Sequence, residues 1–414
     1  MSLTLTKQDS TVFIVLGLLV AAFWLLGTLY ETNVYLIFLF ILIGLFIAIY
    51  ASEKAVKGME VLGKRLGLTP YVSGVLASLA SNTPELVIGL FAVLSGQTEF
   101  AIAFIIIATG FNFLMLGIII LIGNKERNGP IIVPDEVITV EIPIVRIALV
   151  MIGSIFVLGI VLYAQEALVI AKSALNLNSS TPDLTNSVPY LPYEAALISV
   201  IVYLFYLYFI IRHNLKSKPA NAGEQSNKSE YYQNKGMLVL ILVLAFVFIF
   251  FAGEMVSRSV ELFLHLPNNP FVLDEFQLAF VIGAAASIPE HAIALLAVRH
   301  EGGVELGMGN LLAGSMQNLL LMTGLVTLFS YVGAKLGIAG NYIQGIPLIH
   351  ETSHGLVPFL LVQFGFSWLI LYLIKGSMSD DQKLDSYEGF TITMAQLFVF
   401  VIFLKSILGL SLFG

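Results

Sequence analysis

The sequence contains no cysteine, which excludes disulfides, thiolate metal sites and cysteine nucleophiles. Charge is scarce too: Asp, Glu, Lys and Arg make up 11% of the 414 residues, against about 25% in a soluble protein. The N-terminal stretch MSLTLTKQDS lacks the basic region and small-residue cleavage pattern of a secretory signal, so the first apolar run reads as retained. No nucleic-acid module is present, and the basic residues are too scattered for a phosphate track, which argues against a nucleic-acid partner. Apolar residues, in contrast, are abundant. At 58% hydrophobic residues and a mean hydropathy of +0.92, the chain reads as an all-α polytopic membrane protein whose partner is the lipid bilayer. The net charge of −7 sits in short loops and says little about other partners; no obligatory protein partner is evident.

A helix crosses a bilayer in about 20 apolar residues, and on that rule the chain holds about eleven spans. They fall near Thr11–Tyr30, Val34–Ser52 (with a polar extension toward Arg65), Leu68–Ser95, Thr98–Ile122, Ile142–Ala164 (continuing toward Lys172) and Glu194–Arg212. The second set is Gly236–Leu266, Val272–Val298, Gly303–Val332, Gly355–Lys375 and Gly389–Leu412. Asn176–Pro192 reads as an exposed loop, and Lys216–Asn234, the most hydrophilic stretch, as a linker between halves. If the spans alternate, Lys7, Lys54, Lys57, Lys64, Arg65, Lys125, Arg127, Arg212, Lys216, Lys218, Lys228, Lys235, Arg299, Lys375 and Lys383 share one side. At most Lys172, Arg258, Lys335 and Lys405 occupy the other. Basic residues favour the cytoplasm, so the N-terminus is expected inside and the C-terminus on the opposite side, most simply of the cell membrane.

The third and eighth spans share a pattern. Ser78–Gln97 carries Pro84-Glu85 inside an apolar run, and Ala284–Gly302 carries Pro289-Glu290. The spans before them match as well, with Glu53, Lys57 and Glu60 answered by Glu254, Arg258 and Glu261. The spans after them carry Thr109-Gly110-Phe111-Asn112 and Gly314-Ser315-Met316-Gln317-Asn318. The reading is therefore an extra N-terminal helix (1–32), a first repeat (33–215), a polar linker (216–235) and a second repeat (236–414). Each repeat has five spans, an odd number, so the second is inverted relative to the first. Inverted repeats with broken helices are a transporter architecture.

An ionisable group at membrane depth is costly and points to function. Proline removes a backbone donor, so both helices are expected to open at Pro84 and Pro289 and free the carbonyls of Ala80–Asn82 and Ala285–Ser287. Glu85 and Glu290, with the side chains of Ser81, Asn82, Ser287, Thr109, Asn112, Ser315, Gln317 and Asn318, then form a hard-oxygen metal site. Calcium takes six to eight such oxygens in flexible geometry, and magnesium fits less well. Gly110 and Gly314 would let the neighbouring helices approach the breaks closely. His291, beside Glu290, is read as a proton relay or a packed histidine. There is also a decoy: His350-Glu351-Thr352-Ser353-His354 matches HExxH, the zinc-protease pattern, but that chemistry needs a helix and a third ligand, and the match falls where a loop enters the tenth span. An intramembrane zinc protease is the distant alternative.

The residues Ala80–Glu85 with Ala108–Asn112, and Ala285–Glu290 with Ala313–Asn318, resemble the paired motifs of the calcium/cation antiporter superfamily. Glycines lead those motifs in the family; alanines stand here at Ala80 and Ala285. The resemblance implies a secondary transporter rather than an enzyme, without a cofactor, exchanging Ca2+ for H+ or Na+ by alternating access around Glu85 and Glu290. The Pro-Glu pairs look like the sodium/calcium branch. Glu290-His291, Ser315–Gln317 and the extra first helix look like the proton/calcium branch. Charge counting leans to protons, because two glutamates trade one calcium for two protons and stay neutral, whereas three sodium ions leave a charge unmatched.

Overall fold

The computed structural model describes residues 7–27, 31, 33–66, 68, 70–133, 135–174, 190–216, 235–267, 271, 273–297, 303–348, 350–352 and 355–407. Most of the linker and of the Asn176–Pro192 loop lies outside them. The helices of the first half are α1 (Lys7–Leu25), α2 (Val34–Arg65), α3 (Pro70–Ser81), α4 (Thr83–Leu94), α5 (Thr98–Arg127), α6 (Asp135–Ala174) and α7 (Tyr193–Lys216). Those of the second half are α8 (Lys235–His265), α9 (Glu275–Ala297), α10 (Gly303–Met316), α11 (Thr323–Lys335), α12 (Phe359–Asp380) and α13 (Ser386–Ile407). Between α10 and α11, residues Gln317–Met322 form a π-helical segment. Nine helical stretches among the described residues are long and apolar enough to cross a membrane, and Thr11–Leu25 and Glu275–Ile288 are shorter apolar helices. Among the described residues, each of the eleven expected spans is thus represented by helix, nine of them long enough to cross.

Three short antiparallel pairings tie the connections together. Strand β1 (Ile131–Ile132) follows α5, β2 (Tyr190–Pro192) precedes α7, and β3 (Gly345–Pro347), β4 (His350–Thr352) and β5 (Gly355–Val357) lie between α11 and α12. Strand β6 (Lys383–Leu384) joins α12 to α13. β1 pairs with β6 and β2 with β3. Both pairings join connections that alternation of the spans puts on the same face. β1–β6 lies on the face where α2 ends at Arg65, hereafter the basic face, and β2–β3 lies on the opposite face.

The helices of the two halves interleave. α2 packs along α8, α5 against α9 and α13, α3 against α10, α7 against α11, and α6 against α12. α5 forms the centre: Phe100 to Gly110 are all buried, and so are Asn112 and Phe113. Its apolar surface is covered all round, as an interior helix requires.

Two expectations about the breaks need correction. In the first repeat the interruption is a single turn at Asn82 (φ −90°, ψ 0°) between α3 and α4. Leu86 N still donates to Asn82 O at 3.2 Å, and the Ser81 carbonyl accepts from Ser52 Oγ at 3.2 Å. Pro84 therefore frees the Ala80 carbonyl, its missing i→i−4 partner, rather than three in a row. In the second repeat α9 passes through Pro289 without interruption. Helices carry an internal proline when packing around it satisfies the freed carbonyl.

Candidate cation site

The site is built where α3, α4, α5, α9, α10 and the π segment meet. Asn82, at the turn, is fully buried; its Nδ2 donates to Gln317 Oε1 at 3.4 Å, tying the α3–α4 turn to the π segment. Glu85 lies one turn further along α4, is 3% exposed, and its Oε2 has no hydrogen-bond partner. Asn82 Oδ1 and Asn318 Oδ1 are likewise buried without a partner. On the other side of the site, His291 Nε2 lies 2.9 Å from Asn112 Oδ1, tying α9 to α5, while Asn112 Nδ2 has no partner.

The hydroxyls behave alike. Thr109 Oγ1 donates to Ile105 O (2.9 Å), Ser287 Oγ to Gly283 O (2.9 Å), Ser315 Oγ to Leu311 O (2.8 Å) and Ser81 Oγ to Ser78 O (2.9 Å). Each proton goes back to its own helix, and the hydroxyl lone pairs stay available as acceptors. The donor set is therefore neutral oxygens plus carboxylate, which suits a hard cation. Among the described residues no three His, Asp or Glu side chains converge as they would in a zinc site. Glu290 is helical within α9, and its side chain lies outside the described residues.

Other expectations resolve differently. His350 and Glu351 lie on β4, paired in register with Val357 and Leu356 of β5, and His354 lies outside the described residues. The backbone of β4 is extended, so the described residues do not show the helical one-turn geometry that HExxH chemistry requires. Gly110 serves a helix other than the broken one: a Cβ there would come within 2.6 Å of Gln396 Nε2 and 2.9 Å of Phe400 on α13. Gln396 in turn exchanges two 3.1 Å amide hydrogen bonds with Gln363 of α12, a fully buried pair that the sequence reading missed. The π segment was also missed. It begins at Gln317, directly after Ser315 and Met316, and its extra residue per turn is marked by Thr323 Oγ1 donating to Asn318 O.

A narrow cavity leads toward the site between α2, α3 and α10. Glu53 and Glu60 stand in its wall toward the basic face, and Ser81, Pro84 and Asn310 at its deep end. Asn310 Oδ1 is buried without a partner, and its carbonyl accepts from Ser78 Oγ at 3.2 Å.

The family profile described as "Sodium/calcium exchanger protein" matches residues 36–212 and 237–405, most of the chain. The chain belongs to this family. Inner membrane protein YrbG of Escherichia coli (strain K12) is 21% identical over 296 residues, 70% of this chain and 79% of that protein. Two solved structures share the fold. The H+/Ca2+ exchanger CAX aligns with TM-score 0.63 at 14% identity over 98% of this chain and 93% of its own. The sodium-calcium exchanger NCX_Mj aligns with TM-score 0.54 at 14% identity over 89% of this chain and 99% of its own. The superfamily suggested by the Pro-Glu repeats is therefore the right one, and the protein is a transporter homologue of the calcium/cation antiporter type.

Proposed function

We infer that this exchanger moves Ca2+ across the membrane in return for a monovalent cation, with Glu85 and Glu290 as its paired carboxylates. The observation that carries this reading is the set of orphaned acceptors. Glu85 Oε2, Asn82 Oδ1 and Asn318 Oδ1 are buried in elements bonded to one another, and none has a donor. Buried polar atoms without partners are rare and call for an explanation such as an ion. Ser81, Ser287, Thr109, Ser315, Gln317 and the Asn112 amide complete the shell.

Protons are the favoured coupling ion. Two carboxylates exchange one calcium for two protons without a net charge change in a low-dielectric site. The His291–Asn112 contact supplies a relay. With its proton on Nε2, His291 donates to Asn112 Oδ1 and occupies that oxygen. With the proton on Nδ1, the amide turns over, donates Nδ2 to Nε2, and presents Oδ1 to the cation. Sodium at the same oxygens is the second reading; the neutral amide ligands favour it, and the fold is also that of a sodium-calcium exchanger.

The architecture is read as an extra helix over 1–32, repeats over 33–215 and 236–414 inverted about a pseudo-two-fold axis, and a linker over 216–235. The packing supports it: exchanging the two halves converts the α5–α9 contact into the α10–α3 contact and the α5–α13 contact into the α11–α7 contact. With the basic face in the cytoplasm and the C-terminus outside the cell membrane, the α2–α3 cavity is an inward access path. No cofactor, enzyme activity or obligatory protein partner is part of this reading.

The test is calcium uptake into vesicles under an imposed pH gradient or an imposed sodium gradient. A pH gradient should drive uptake, and His350→Ala should leave it unchanged. Calcium that responds to neither gradient would overturn the reading.

A further inference from the structure

A second polar arrangement lies at an open cavity on the face opposite the basic one, on the last turns of α8. Glu254, Ser257, Arg258 and Glu261 stand at i, i+3, i+4 and i+7 and so share one stripe of the helix. All four line an open cavity beside Phe91 and Ser95 at the end of α4. Ser257 is 1% exposed, and its Oγ has no hydrogen-bond partner although it lines this cavity. A buried hydroxyl without a partner is an acceptor and donor waiting for a ligand.

Arg258 has an acid one turn behind it, Glu254. The same spacing on α2 pairs Lys57 with Glu53. Arg258 turns elsewhere: its Nη2 donates to Glu31 Oε1 at 3.0 Å, and its guanidinium lies 5.8 Å over the ring of Trp24. Trp24 ends α1 and Glu31 sits between α1 and α2, so both are features of the extra helix. That helix is fastened in place, with Phe13 stacked on Phe248 of α8 at 5.5 Å and edge-on to Tyr50 of α2 at 6.0 Å.

We propose that Glu254, Ser257 and Glu261 form a collecting site for a hard divalent cation in this cavity, and that Glu31 keeps it competent by pairing with Arg258 and so keeping it from a direct ion pair with Glu254. An arginine folded back onto Glu254 would neutralise the acid that the cation needs. Two carboxylates and a hydroxyl are oxygen ligands of the kind calcium accepts, with water filling its remaining positions. Arg258 is thus a positioning residue. The proposal rests on the calcium-exchange reading above and adds to it a role for the first helix.

The experiment uses the purified full chain in proteoliposomes. Because the sequence holds no cysteine, a single introduced one reports orientation, and calcium can be offered to either face. Glu31→Gln should raise the half-saturating calcium concentration by about tenfold at the α8 mouth and leave the basic face unchanged. Arg258→Gln should not raise it. The double variant Glu31→Gln/Arg258→Gln should return to the wild-type value, because no arginine is left to fall back. If the pair merely fastens α1, the double variant will be at least as impaired as Glu31→Gln; that result, or an unshifted Glu31→Gln, overturns the proposal. Wild type that moves no calcium under any gradient would defeat the exchange reading instead. The same pattern of loss and restoration in equilibrium 45Ca2+ binding to solubilised protein then decides the vestibule separately.

Discussion

Glu85 Oε2, Asn82 Oδ1 and Asn318 Oδ1 share one physical problem. A buried acceptor with no donor costs about 1–3 kcal/mol, and three of them line one junction of helices. A cation bound among them, as proposed, would remove that penalty, so calcium should raise the melting temperature of the solubilised protein, and more so as its concentration exceeds Kd. Asn318→Ala should weaken calcium binding by about 1–2 kcal/mol, while its calcium-free melting temperature holds or rises, because an orphaned oxygen has been deleted. Titration calorimetry and a thermal scan check both halves. A loss of calcium-free stability would mark Asn318 as a structural amide. His291→Gln keeps a hydrogen bond to Asn112 and loses the proton site, so uptake should stay saturable in calcium while its pH profile flattens. At this scale the sequence was informative where it broke a rule. A proline and an acid inside an apolar run are visible without a structure. The His291–Asn112 contact was not, since it spans 179 residues and no local pattern encodes it.

At the scale of elements, the turn at Asn82 and the π segment are matched irregularities joined by the Asn82–Gln317 hydrogen bond. The first was legible because Pro84 announces it. The second was not, because Gln317–Met322 contains neither proline nor glycine and its register is set by packing against α7 and α5. The sequence also misled at α9, where Pro289 interrupts no helix; the HExxH match at His350–His354, read as a decoy at the entry to the tenth span, does lie outside a helix at His350–Thr352. Length and apolarity settle that a segment is helical; they do not settle whether its neighbours absorb a missing hydrogen bond. A further element-scale feature is a clasp on the face opposite the basic one. Gly340 holds φ +77°, and a Cβ there would meet Gly96 O at 1.9 Å. Around it Thr98 Oγ1 donates to Asn341 Oδ1 at 2.6 Å, Asn341 Nδ2 donates to Val93 O at 3.1 Å, and the Tyr342 hydroxyl donates to Glu99 Oε1 at 2.5 Å. Burial, then the charge of Glu99, pushes the Tyr342 hydroxyl well above its ordinary pKa, so it remains a donor at any pH the protein meets. Gly340→Ala should cost about 2 kcal/mol or more, from the left-handed backbone alone and then from the clash. A lowered melting temperature with unchanged calcium affinity is the expected result; an unshifted melting temperature would show that the clasp yields freely.

At the scale of the whole molecule, two differently built openings lie on opposite faces, with the candidate cation site in the interior. The mouth on the basic face leads through the α2–α3 cavity to Ser81 and Pro84. The other carries the Glu254–Glu261 stripe and the Arg258–Glu31 pair. Alternating access would need both openings to reach the same ligands in turn, and Glu85 is the proposed carboxylate whose side chain lies among the described residues. The direct test is therefore 45Ca2+ uptake into proteoliposomes holding wild type or Glu85→Gln, under the gradient that drives the wild type. Glu85→Gln keeps the size of the side chain and removes its charge. Wild-type vesicles should accumulate calcium, and Glu85→Gln vesicles, with protein that elutes and melts like wild type, should accumulate none above empty liposomes. Uptake by Glu85→Gln at the wild-type rate would contradict the account.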